Sequence, residues 1–500
     1  MEDKKKQRFL FSKHPIFYPI LAAVAAGTYP IIFYFSNNFT LANTWGHLRF
    51  FTFFYIVVPS VVFVLAVKIS QAKIFSKWQK YVLPLLNLFT FFFLMELSVY
   101  TLIKKKLAVL LLLLAIILTL FLYKQLKKIL IMQFVLAGIG LVALIQAIAY
   151  VPAFQEDWLD QPDAIGEAVF KKKPNIYFIQ PDGYSNFSKL VKAPYNVDPS
   201  LFEDYLTKNS FKNYPNFRSN YASTLSSNSS VFMMKHHYYG TIGSGSGLSE
   251  ALNARNVIIS KNTVLDVFKN NGYKTHFISE TPYLLLNRPT LGYDYTNYKL
   301  NDIAYINTGF NSHRDVFLDL KENIKNTDDT PMFFFVEFIR PGHIRNNKID
   351  SRGAEGEREK WLELLEQSNE KLTELIDLIK EKDPNSLVVI LADHGGYVGL
   401  NYAGEMYKKM TDEDLINSIF TAQLSIHWPN NEIFTGDKYL KSSVNVFRVL
   451  ISYLTEENKY LEHLQDNSSY IILKEDAPEG VYRYINDSGE VVFKKHNLEP

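Results

Sequence analysis

The chain has 500 residues, too many for one hydrophobic core, so at least two structural units are expected. Its 53 basic and 51 acidic side chains nearly cancel, and the net charge of +2 gives no indication of a nucleic-acid partner. Cysteine is absent, which excludes disulfides, thiolate metal sites and a cysteine nucleophile.

The first third of the chain is almost uniformly apolar between short basic clusters and predicts a membrane domain at residues 1–154. Five runs are long enough, or nearly so, to cross a bilayer, which takes about 20 apolar residues. A cleaved signal peptide would not be followed by four more such runs. The predicted spans are Ile16–Phe35, Phe50–Val67, Val82–Ile103, Leu107–Tyr123 and Ile129–Phe154.

Lysine and arginine in the short loops predict the orientation of these spans. With five spans, three basic clusters fall on one side, which is then cytoplasmic, and residues after Phe154 are expected to be extracytoplasmic. Lys104–Lys106 do not fit, because they would lie outside in a tight hairpin; Glu96 is an intramembrane carboxylate near the same end. The three clusters contain Lys4, Lys5, Lys6, Arg8 and Lys13; Lys68, Lys73, Lys77 and Lys80; and Lys124, Lys127 and Lys128.

A linker or interfacial helix is expected at 155–173, followed by a soluble domain at 174–500 in which strand-like and helical runs alternate. Continuous apolar strands separated by helices indicate an α/β fold with a mostly parallel sheet covered by helices. Gly480–Lys494 is expected to form a hairpin. The predicted strands are Asn175–Gln180, Tyr273–Ser279, Met332–Ile339, Ser386–Ala392 and Gln423–His427. The predicted helices are Ser200–Lys208, Thr263–Asn270, Arg314–Lys325, Glu357–Lys380 and Ser443–Leu454.

Two acidic motifs follow predicted strands. Asp393-His394-Gly395-Gly396 comes after one of them, and Asp182-Gly183 after another. Ligands of such sheets bind at the carboxyl ends of the strands, so both motifs are expected at one edge. A hydroxyl-rich segment, 220–230, lies between them in sequence. An acid, a hydroxyl nucleophile and an Asp-His pair are the parts of a metal-activated phosphoryl or sulfuryl transfer site.

These motifs, in this order, resemble the alkaline phosphatase/sulfatase superfamily over most of Pro174–Asn430. Five spans before an extracytoplasmic domain resemble its membrane-anchored transferase branch, which includes lipoteichoic acid synthases and lipid A phosphoethanolamine transferases. The resemblance implies one divalent metal ion, Mn²⁺ or Zn²⁺, with Mg²⁺ and Ca²⁺ also possible. Its implied ligands are Asp182, Thr224, Asp393 and His394. Sulfatases carry a second acid where this chain has Gly183.

Thr224 fits the spacing of the superfamily nucleophile, with Ser226 as its competitor. A helical run follows at Ser229–Met234, and a nucleophile at a helix start gains from free N–H groups and the helix dipole. The alternative is that these hydroxyls only cap the helix. The resemblance also implies a substrate-contacting or proton-donating role for His343, which follows the strand Met332–Ile339. A formylglycine sulfatase is disfavoured, because no Cys/Ser-x-Pro-x-Arg motif surrounds these hydroxyls.

The function implied is transfer of a phospholipid-derived head group, of the phosphoethanolamine or phosphoglycerol type, to a glycan or lipid-linked acceptor at the cell membrane. The intermediate would be a phospho-Thr224 enzyme. A sulfatase-like hydrolase acting through the same site is the alternative, either a phosphodiesterase or a sulfatase. A non-catalytic envelope assembly factor is a second alternative. The oligomeric state is left open by the sequence.

Overall fold

A computed structural model of the protein describes residues 16–75, 77–150, 157–239, 253–324 and 330–497. The first basic cluster, Lys4–Lys13, lies outside the described residues, as do Phe154, the first two residues of the expected linker and Lys325. The chain divides into two compact units. The first comprises 1–153 with two short segments, 286–288 and 303–308, and the second comprises the remaining residues.

Apolar helices form the first unit. The second helix contains one π-helical stretch, Phe53–Val57, which brings the carbonyl of Tyr55 against Gly27; a Cβ at Gly27 would lie 2.0 Å from that oxygen. The glycine therefore permits close helix packing. The helices are α1 (Phe17–Asn37), α2 (Trp45–Ser70), α3 (Gln79–Tyr100), α4 (Lys105–Leu122) and α5 (Leu126–Tyr150).

Counted by length and apolar character alone, the described residues contain four stretches able to cross a membrane, of which the last is Lys105–Ala149. That stretch comprises α4 and α5, joined by a 3₁₀ turn at Tyr123–Gln125. The chain reverses there, because Leu126 packs in one cluster with Leu83 near the start of α3, whereas Leu144 packs against the cluster of Leu94 near the end of α3. Five helices therefore alternate in direction, and the chain has the helices of a multi-pass membrane protein.

Hydrogen bonds of buried polar side chains tie the helices of this unit together. Asn87 donates to the Ala22 carbonyl (2.8 Å) and to Gln133 (2.9 Å), which ties α1, α3 and α5 together. The Glu96 carboxylate is 3 % exposed and accepts a hydrogen bond from the backbone N–H of Lys104 (2.9 Å), immediately before α4. A carboxylate at a helix N-terminus is favourable, so Glu96 has a structural contact that ties α3 to α4.

A seven-stranded sheet in the order β2-β7-β6-β1-β5-β3-β4 forms the centre of the second unit. β6, β1, β5, β3 and β4 run parallel, and β7 and β2 add antiparallel pairings at one edge. The strands are β1 (Ile176–Pro181), β2 (Phe211–Asn213), β3 (Lys274–Ser279), β4 (Tyr295–Thr296), β5 (Met332–Phe338), β6 (Leu387–Leu391) and β7 (Leu424–His427). The mostly parallel sheet predicted from the sequence is confirmed, as are its five longer strands to within a residue or two.

A second sheet, in the order β10-β9-β8, is antiparallel and contains the predicted C-terminal hairpin. Its strands are β8 (Ser469–Leu473), β9 (Gly480–Ile485) and β10 (Val491–Lys495). An isolated bridge between Tyr221 and Tyr470 connects β8 to the segment that precedes the predicted nucleophile. The smaller sheet thus buttresses that segment.

The helices of this unit are α6 (Phe187–Leu190), α7 (Ser200–Lys208), α8 (Thr224–Met233), α9 (Ala254–Ile259), α10 (Thr263–Asn270), α11 (Val316–Ile324), α12 (Gly353–Lys382), α13 (Glu413–Phe420) and α14 (Val446–Thr455). Short 3₁₀ helices lie at Lys73–Phe75, Tyr123–Gln125, Asp157–Leu159, Ile165–Glu167, Tyr283–Leu285, Leu300–Asp302, Ala403–Tyr407, Pro429–Asn431, Thr435–Tyr439, Ser443–Asn445 and Asn458–His463.

The segment expected as a linker or interfacial helix is described from Asp157 onward, where it forms two short 3₁₀ helices and belongs to the second unit. Asp163 accepts two hydrogen bonds, of 2.9 and 3.0 Å, from the guanidinium of Arg448, whose side chain is fully buried in α14. Gln161 accepts a third at 2.9 Å. These bonds fix the entry of the chain into the sheet.

Candidate metal centre

Three side chains suited to metal binding meet at the carboxyl edge of the central sheet. β1 and β6 are parallel neighbours, so the residues that follow them emerge side by side. Asp182 follows β1, and Asp393 and His394 come just after β6. His394 Nε2 lies 3.6 Å from Asp182 Oδ1 and 3.3 Å from Asp393 Oδ2. The structure therefore brings together two motifs that are about two hundred residues apart.

The atoms that face one another in this cluster are hydrogen-bond acceptors. His394 Nδ1 donates to the Gly395 carbonyl (2.8 Å), which leaves the lone pair of Nε2 for the cluster. Asp393 Oδ1 accepts from the N–H groups of Gly183 and His394, both at 3.0 Å. Asp393 Oδ2 and Asp182 Oδ1 are buried without a hydrogen-bond partner among the described residues.

Such a convergence of lone pairs fits a divalent cation. A proton on the imidazole would pair with only one oxygen at a time, whereas a cation satisfies all the ligands together. Ligands at the corners of a tetrahedron with metal bonds of about 2.1 Å lie roughly 3.4 Å apart. The separations of 3.3 and 3.6 Å around His394 Nε2 match that spacing. The residues present therefore fit a metal ion, and nitrogen and carboxylate ligands are compatible with several divalent metals.

The buried carboxyl groups of the cluster also favour a bound cation. Burial, followed by the charge of Asp393, raises the pKa of Asp182 well above its usual value. Glu337, on β5, faces the same region; burial and then Asp393 raise its pKa to about 8. Glu280 contributes to both shifts. Carboxylic acids this close cannot all ionise unless a cation offsets their charge.

Thr224 is the first residue of α8, and its hydroxyl is at this cluster. Thr224 Oγ1 lies 3.5 Å from His394 Nε2. Ser223 caps the helix, since its hydroxyl accepts from the N–H of Ser226 at 3.5 Å. The capping role is therefore performed by Ser223, which leaves the Thr224 hydroxyl free for the cluster at the positive end of the helix dipole.

Ser226, the competing nucleophile, is placed differently. Its side chain is fully buried in the first turn of α8, and its hydroxyl has no hydrogen-bond partner among the described residues. Among those residues, the metal-type cluster comprises Asp182, Asp393 and His394, and the hydroxyl with a contact to it is that of Thr224. The geometry favours Thr224 over Ser226.

His343 lies beside the cluster, in the loop that follows β5. Its Nδ1 donates to the Ile344 carbonyl (2.6 Å), and its ring centroid is 5.9 Å from that of His394. Burial and the neighbouring His394 lower the pKa of His343 to about 4. At neutral pH the ring is therefore uncharged, with Nε2 able to accept a proton.

Glycines allow the loops that carry these residues to interlock. Gly183 has a φ of +65°, and a Cβ there would lie 2.3 Å from the carbonyl oxygen of Gly342. The Gly342 N–H in turn donates to the Asp182 carbonyl (2.8 Å). A Cβ at Gly396 would lie 2.2 Å from Trp361 Nε1, which donates to the Gly342 carbonyl (2.8 Å). The loops after β1, β5 and β6 are thus held at one fixed spacing.

Sequence reasoning missed two residues of this site. Glu337 is an acid inside an otherwise apolar strand, and this exception in the sequence could have identified it as a site residue. Tyr397 stacks on both His343 (5.2 Å between ring centroids) and His394 (5.1 Å), and no feature of the sequence marked it.

The profile of the sulfatase family matches residues 174–431, which is more than half of the chain. The chain therefore belongs to the sulfatase family, and both the predicted resemblance and the prediction of an enzyme are confirmed at that level. No curated protein sequence matches the chain.

Several solved structures are similar to the chain at low sequence identity. Phosphoethanolamine transferase A (EptA) of Neisseria meningitidis, an integral membrane protein, is 12 % identical over 87 % of this chain and 95 % of its own, with a TM-score of 0.40. The lipoteichoic acid synthase LtaP of Listeria monocytogenes is 16 % identical over 66 % and 91 %, with a TM-score of 0.40. The periplasmic domain of Escherichia coli EptC, in complex with Zn, is 15 % identical over 59 % and 87 %, with a TM-score of 0.39.

Proposed function

We propose that this enzyme transfers a phospholipid-derived phosphoryl head group, of the phosphoethanolamine or phosphoglycerol type, to a cell-envelope glycan through a phospho-Thr224 intermediate. The observation that carries the proposal is the position of the Thr224 hydroxyl. It lies at the N-terminus of α8, 3.5 Å from His394 Nε2. The same nitrogen lies 3.3 and 3.6 Å from two buried carboxylate oxygens that have no hydrogen-bond partner among the described residues. A hydroxyl held there is suited to attack phosphorus and to remain bound to it.

The residues around Thr224 favour phosphoryl over sulfuryl chemistry. Threonine cannot supply the formylglycine of sulfatases, which is made from cysteine or serine in a motif that this chain lacks. The position of the second acid of sulfatases is Gly183, whose missing side chain leaves space for the Gly342 carbonyl. Both departures support phosphoryl chemistry, in a one-metal transferase or a phosphodiesterase.

The membrane helices support a lipid donor. With five alternating helices, the basic turns between α2 and α3 and between α4 and α5 fall at one end of the helical unit, where Tyr81 and Tyr123 are 4.8 Å apart. Basic turns of membrane proteins lie on the cytoplasmic side, so that end of the helices is assigned to the cytoplasm. The chain then leaves α5 on the opposite side, and the catalytic domain lies outside the cell membrane. ATP is not an expected donor there, whereas phospholipids are abundant in the adjoining bilayer.

The residues that would hold the metal are Asp182, Asp393, His394 and Thr224. A divalent ion, Mn²⁺ or Zn²⁺ in the first instance, lowers the pKa of a bound hydroxyl and screens the charge of a phosphoryl group. Asp393 is oriented for this by the N–H groups of Gly183 and His394, and His394 by the Gly395 carbonyl.

Two displacements at phosphorus complete the transfer. In the first, the bond from Thr224 Oγ to phosphorus forms, the bond from phosphorus to the diacylglycerol oxygen breaks, and the Thr224 proton passes through His343 to that oxygen. In the second, an acceptor hydroxyl bonds to phosphorus, the bond to Thr224 Oγ breaks, and His343 returns the acceptor's proton to Thr224. His343 is uncharged at the outset, so it takes a proton before it gives one.

The test is mass analysis of the full-length protein in nanodiscs that contain phosphatidylethanolamine and phosphatidylglycerol, with metal and without acceptor. The expected result is a head-group adduct on the peptide that contains Thr224, and the added mass identifies the group. Thr224→Ala should lose the adduct, whereas Ser226→Ala should keep it. An adduct on Ser226, or none on either residue, would overturn the phospho-Thr224 intermediate.

Two further outcomes separate the alternatives. Release of the head group into water, with no label on added envelope glycan, would make the enzyme a hydrolase. Hydrolysis of an aryl sulfate with no reaction of the lipids would indicate a sulfatase. A chain that binds neither Mn²⁺ nor Zn²⁺ would fit a non-catalytic assembly factor.

A further inference from the structure

We propose that Tyr397 is a positioning residue that sets the relative placement of Thr224, His394 and His343. Its ring packs against both imidazoles, which also lie beside each other at 5.9 Å between ring centroids. The plane of Tyr397 is 16° from that of His343 and 22° from that of His394, at centroid distances of 5.2 and 5.1 Å. The three rings therefore form one packed triangle, in which the tyrosine ring restricts the rotation of both histidines.

The hydroxyl of the same residue reaches the nucleophile segment. Tyr397 Oη donates a hydrogen bond to the carbonyl of Ala222, two residues before Thr224. Ala222 is 2 % exposed, so its carbonyl depends on such a donor. One side chain thus links the loop after β6, which carries the metal ligands, to the start of α8, which carries the hydroxyl.

The backbone at this position is held in an unusual conformation. Tyr397 has a φ of +59°, in the left-handed region that bulky side chains rarely adopt, and the side chain is 1 % exposed. A non-glycine residue stays in this region only where its surroundings enforce it, and such residues concentrate at functional sites. The ring and hydroxyl contacts hold it together with the backbone hydrogen bond from the Tyr397 N–H to the Ser418 carbonyl (3.2 Å).

Two substitutions separate the two functions of the side chain. Tyr397→Phe keeps the ring and removes the hydroxyl. Tyr397→Asn removes the ring but suits a positive φ, so backbone strain does not confound the result. The matched control is Tyr273→Phe, since Tyr273 is equally buried and its hydroxyl also donates to a backbone carbonyl, that of Pro174, at 2.9 Å.

Metal affinity is measured on the full-length protein with Zn²⁺ alone, in competition with a chromophoric chelator. Tyr397→Asn should bind Zn²⁺ about 10- to 100-fold more weakly, the range found when the support of a metal ligand is lost. Tyr397→Phe should bind within about threefold of the unsubstituted protein, because the ring that orients His394 remains. Tyr273→Phe should be unchanged.

Turnover is measured with vesicles of phosphatidylethanolamine and phosphatidylglycerol carrying fluorescent acyl chains. Tyr397→Phe should lower kcat about 10- to 100-fold with little change in KM, because the Thr224 hydroxyl is displaced without loss of lipid binding. A general loss of stability would instead lower the amount of active enzyme and Zn²⁺ binding together.

Full Zn²⁺ affinity in Tyr397→Asn, or a kcat in Tyr397→Phe equal to that of Tyr273→Phe, would overturn the proposal. If Tyr397→Asn does not fold, the kcat of Tyr397→Phe still decides it. The turnover arm rests on the proposed function. If the unsubstituted protein releases neither head group, that function fails, while the Zn²⁺ measurement still tests the orientation of His394.

Discussion

Replacing Asp393, a proposed metal ligand, should make the metal-free protein more stable while removing its response to metal. Asp393→Asn keeps an oxygen to accept from the N–H groups of Gly183 and His394, so the loop should hold its shape. The other carboxylate oxygen, buried and without a partner among the described residues, becomes an NH₂ group that cannot coordinate a cation. The substitution therefore removes one buried charge and one ligand at little cost to packing.

The size of the gain follows from the charges around Asp393. Its carboxylate is the second cause of the raised pKa of both Asp182 and Glu337, after burial. One pKa unit corresponds to about 1.4 kcal/mol, so relief of this repulsion and burial should contribute about 1–2 kcal/mol. At roughly 2 °C per kcal/mol for a domain of this size, the metal-free melting temperature should rise by about 2–4 °C.

In the presence of metal, the unsubstituted protein should instead melt at a higher temperature than Asp393→Asn. A ligand at a thousand times its Kd stabilises the folded state by about 4 kcal/mol, or roughly 8 °C at the same conversion. The unsubstituted protein should gain that amount on addition of Mn²⁺ or Zn²⁺, and Asp393→Asn should gain almost none. The assay is thermal unfolding of the full-length protein by intrinsic fluorescence, in chelator and in metal, at pH 7.

The matched control is Asp350→Asn, an exposed acid on the loop after β5, which should change neither value. An Asp393→Asn variant that melts below the unsubstituted protein in chelator would contradict the view that this carboxylate is held against repulsion. A full metal-induced shift in the variant would remove Asp393 from the ligand set.

Three further predictions concern the pH dependence of stability, the substitution of Gly183 and the ion pair between Arg448 and Asp163. Burial raises the folded-state pKa of Asp182 well above its usual value and that of Glu337 to about 8, so these protonated acids stabilise the metal-free fold fully below their unfolded pKa values of about 4. For Glu337 this stability is lost as pH rises from about 4 to about 8, so chelator-treated protein should melt at progressively lower temperature over that range, whereas Zn²⁺ affinity should rise by up to about tenfold per pH unit. Gly183→Ala should cost at least about 1–3 kcal/mol and most of the activity, since the Cβ meets the Gly342 carbonyl at a positive φ. Its control is Gly166→Ala, where a Cβ has no atom of the described residues within 4 Å. Arg448→Met should cost about 3–5 kcal/mol in chemical denaturation, because Asp163, whose side chain is only 14 % exposed, loses its partner. Asp163→Leu in the same chain should recover part of the loss.

The sequence determined the parts of this protein that depend on local pattern. Long apolar runs predict membrane helices wherever they occur, and apolar runs of strand length between amphipathic helices predict a parallel sheet; both predictions are confirmed. The acids after β1 and β6 were found in the same way, because a charged residue directly after a buried strand lies at the edge of the sheet.

Only the tertiary structure decided which of these residues meet. Whether Asp182 and Asp393 are neighbours depends on the pairing of β1 with β6, which joins distant parts of the chain. The choice between Thr224 and Ser226 depends on where α8 begins and which way each hydroxyl points, two residues apart on one helix. Glu337 joins the site through burial beside Asp393, and Tyr397 through its contacts with His343 and Ala222. These contacts join residues far apart in sequence, so the local pattern around each residue does not show which partner it meets.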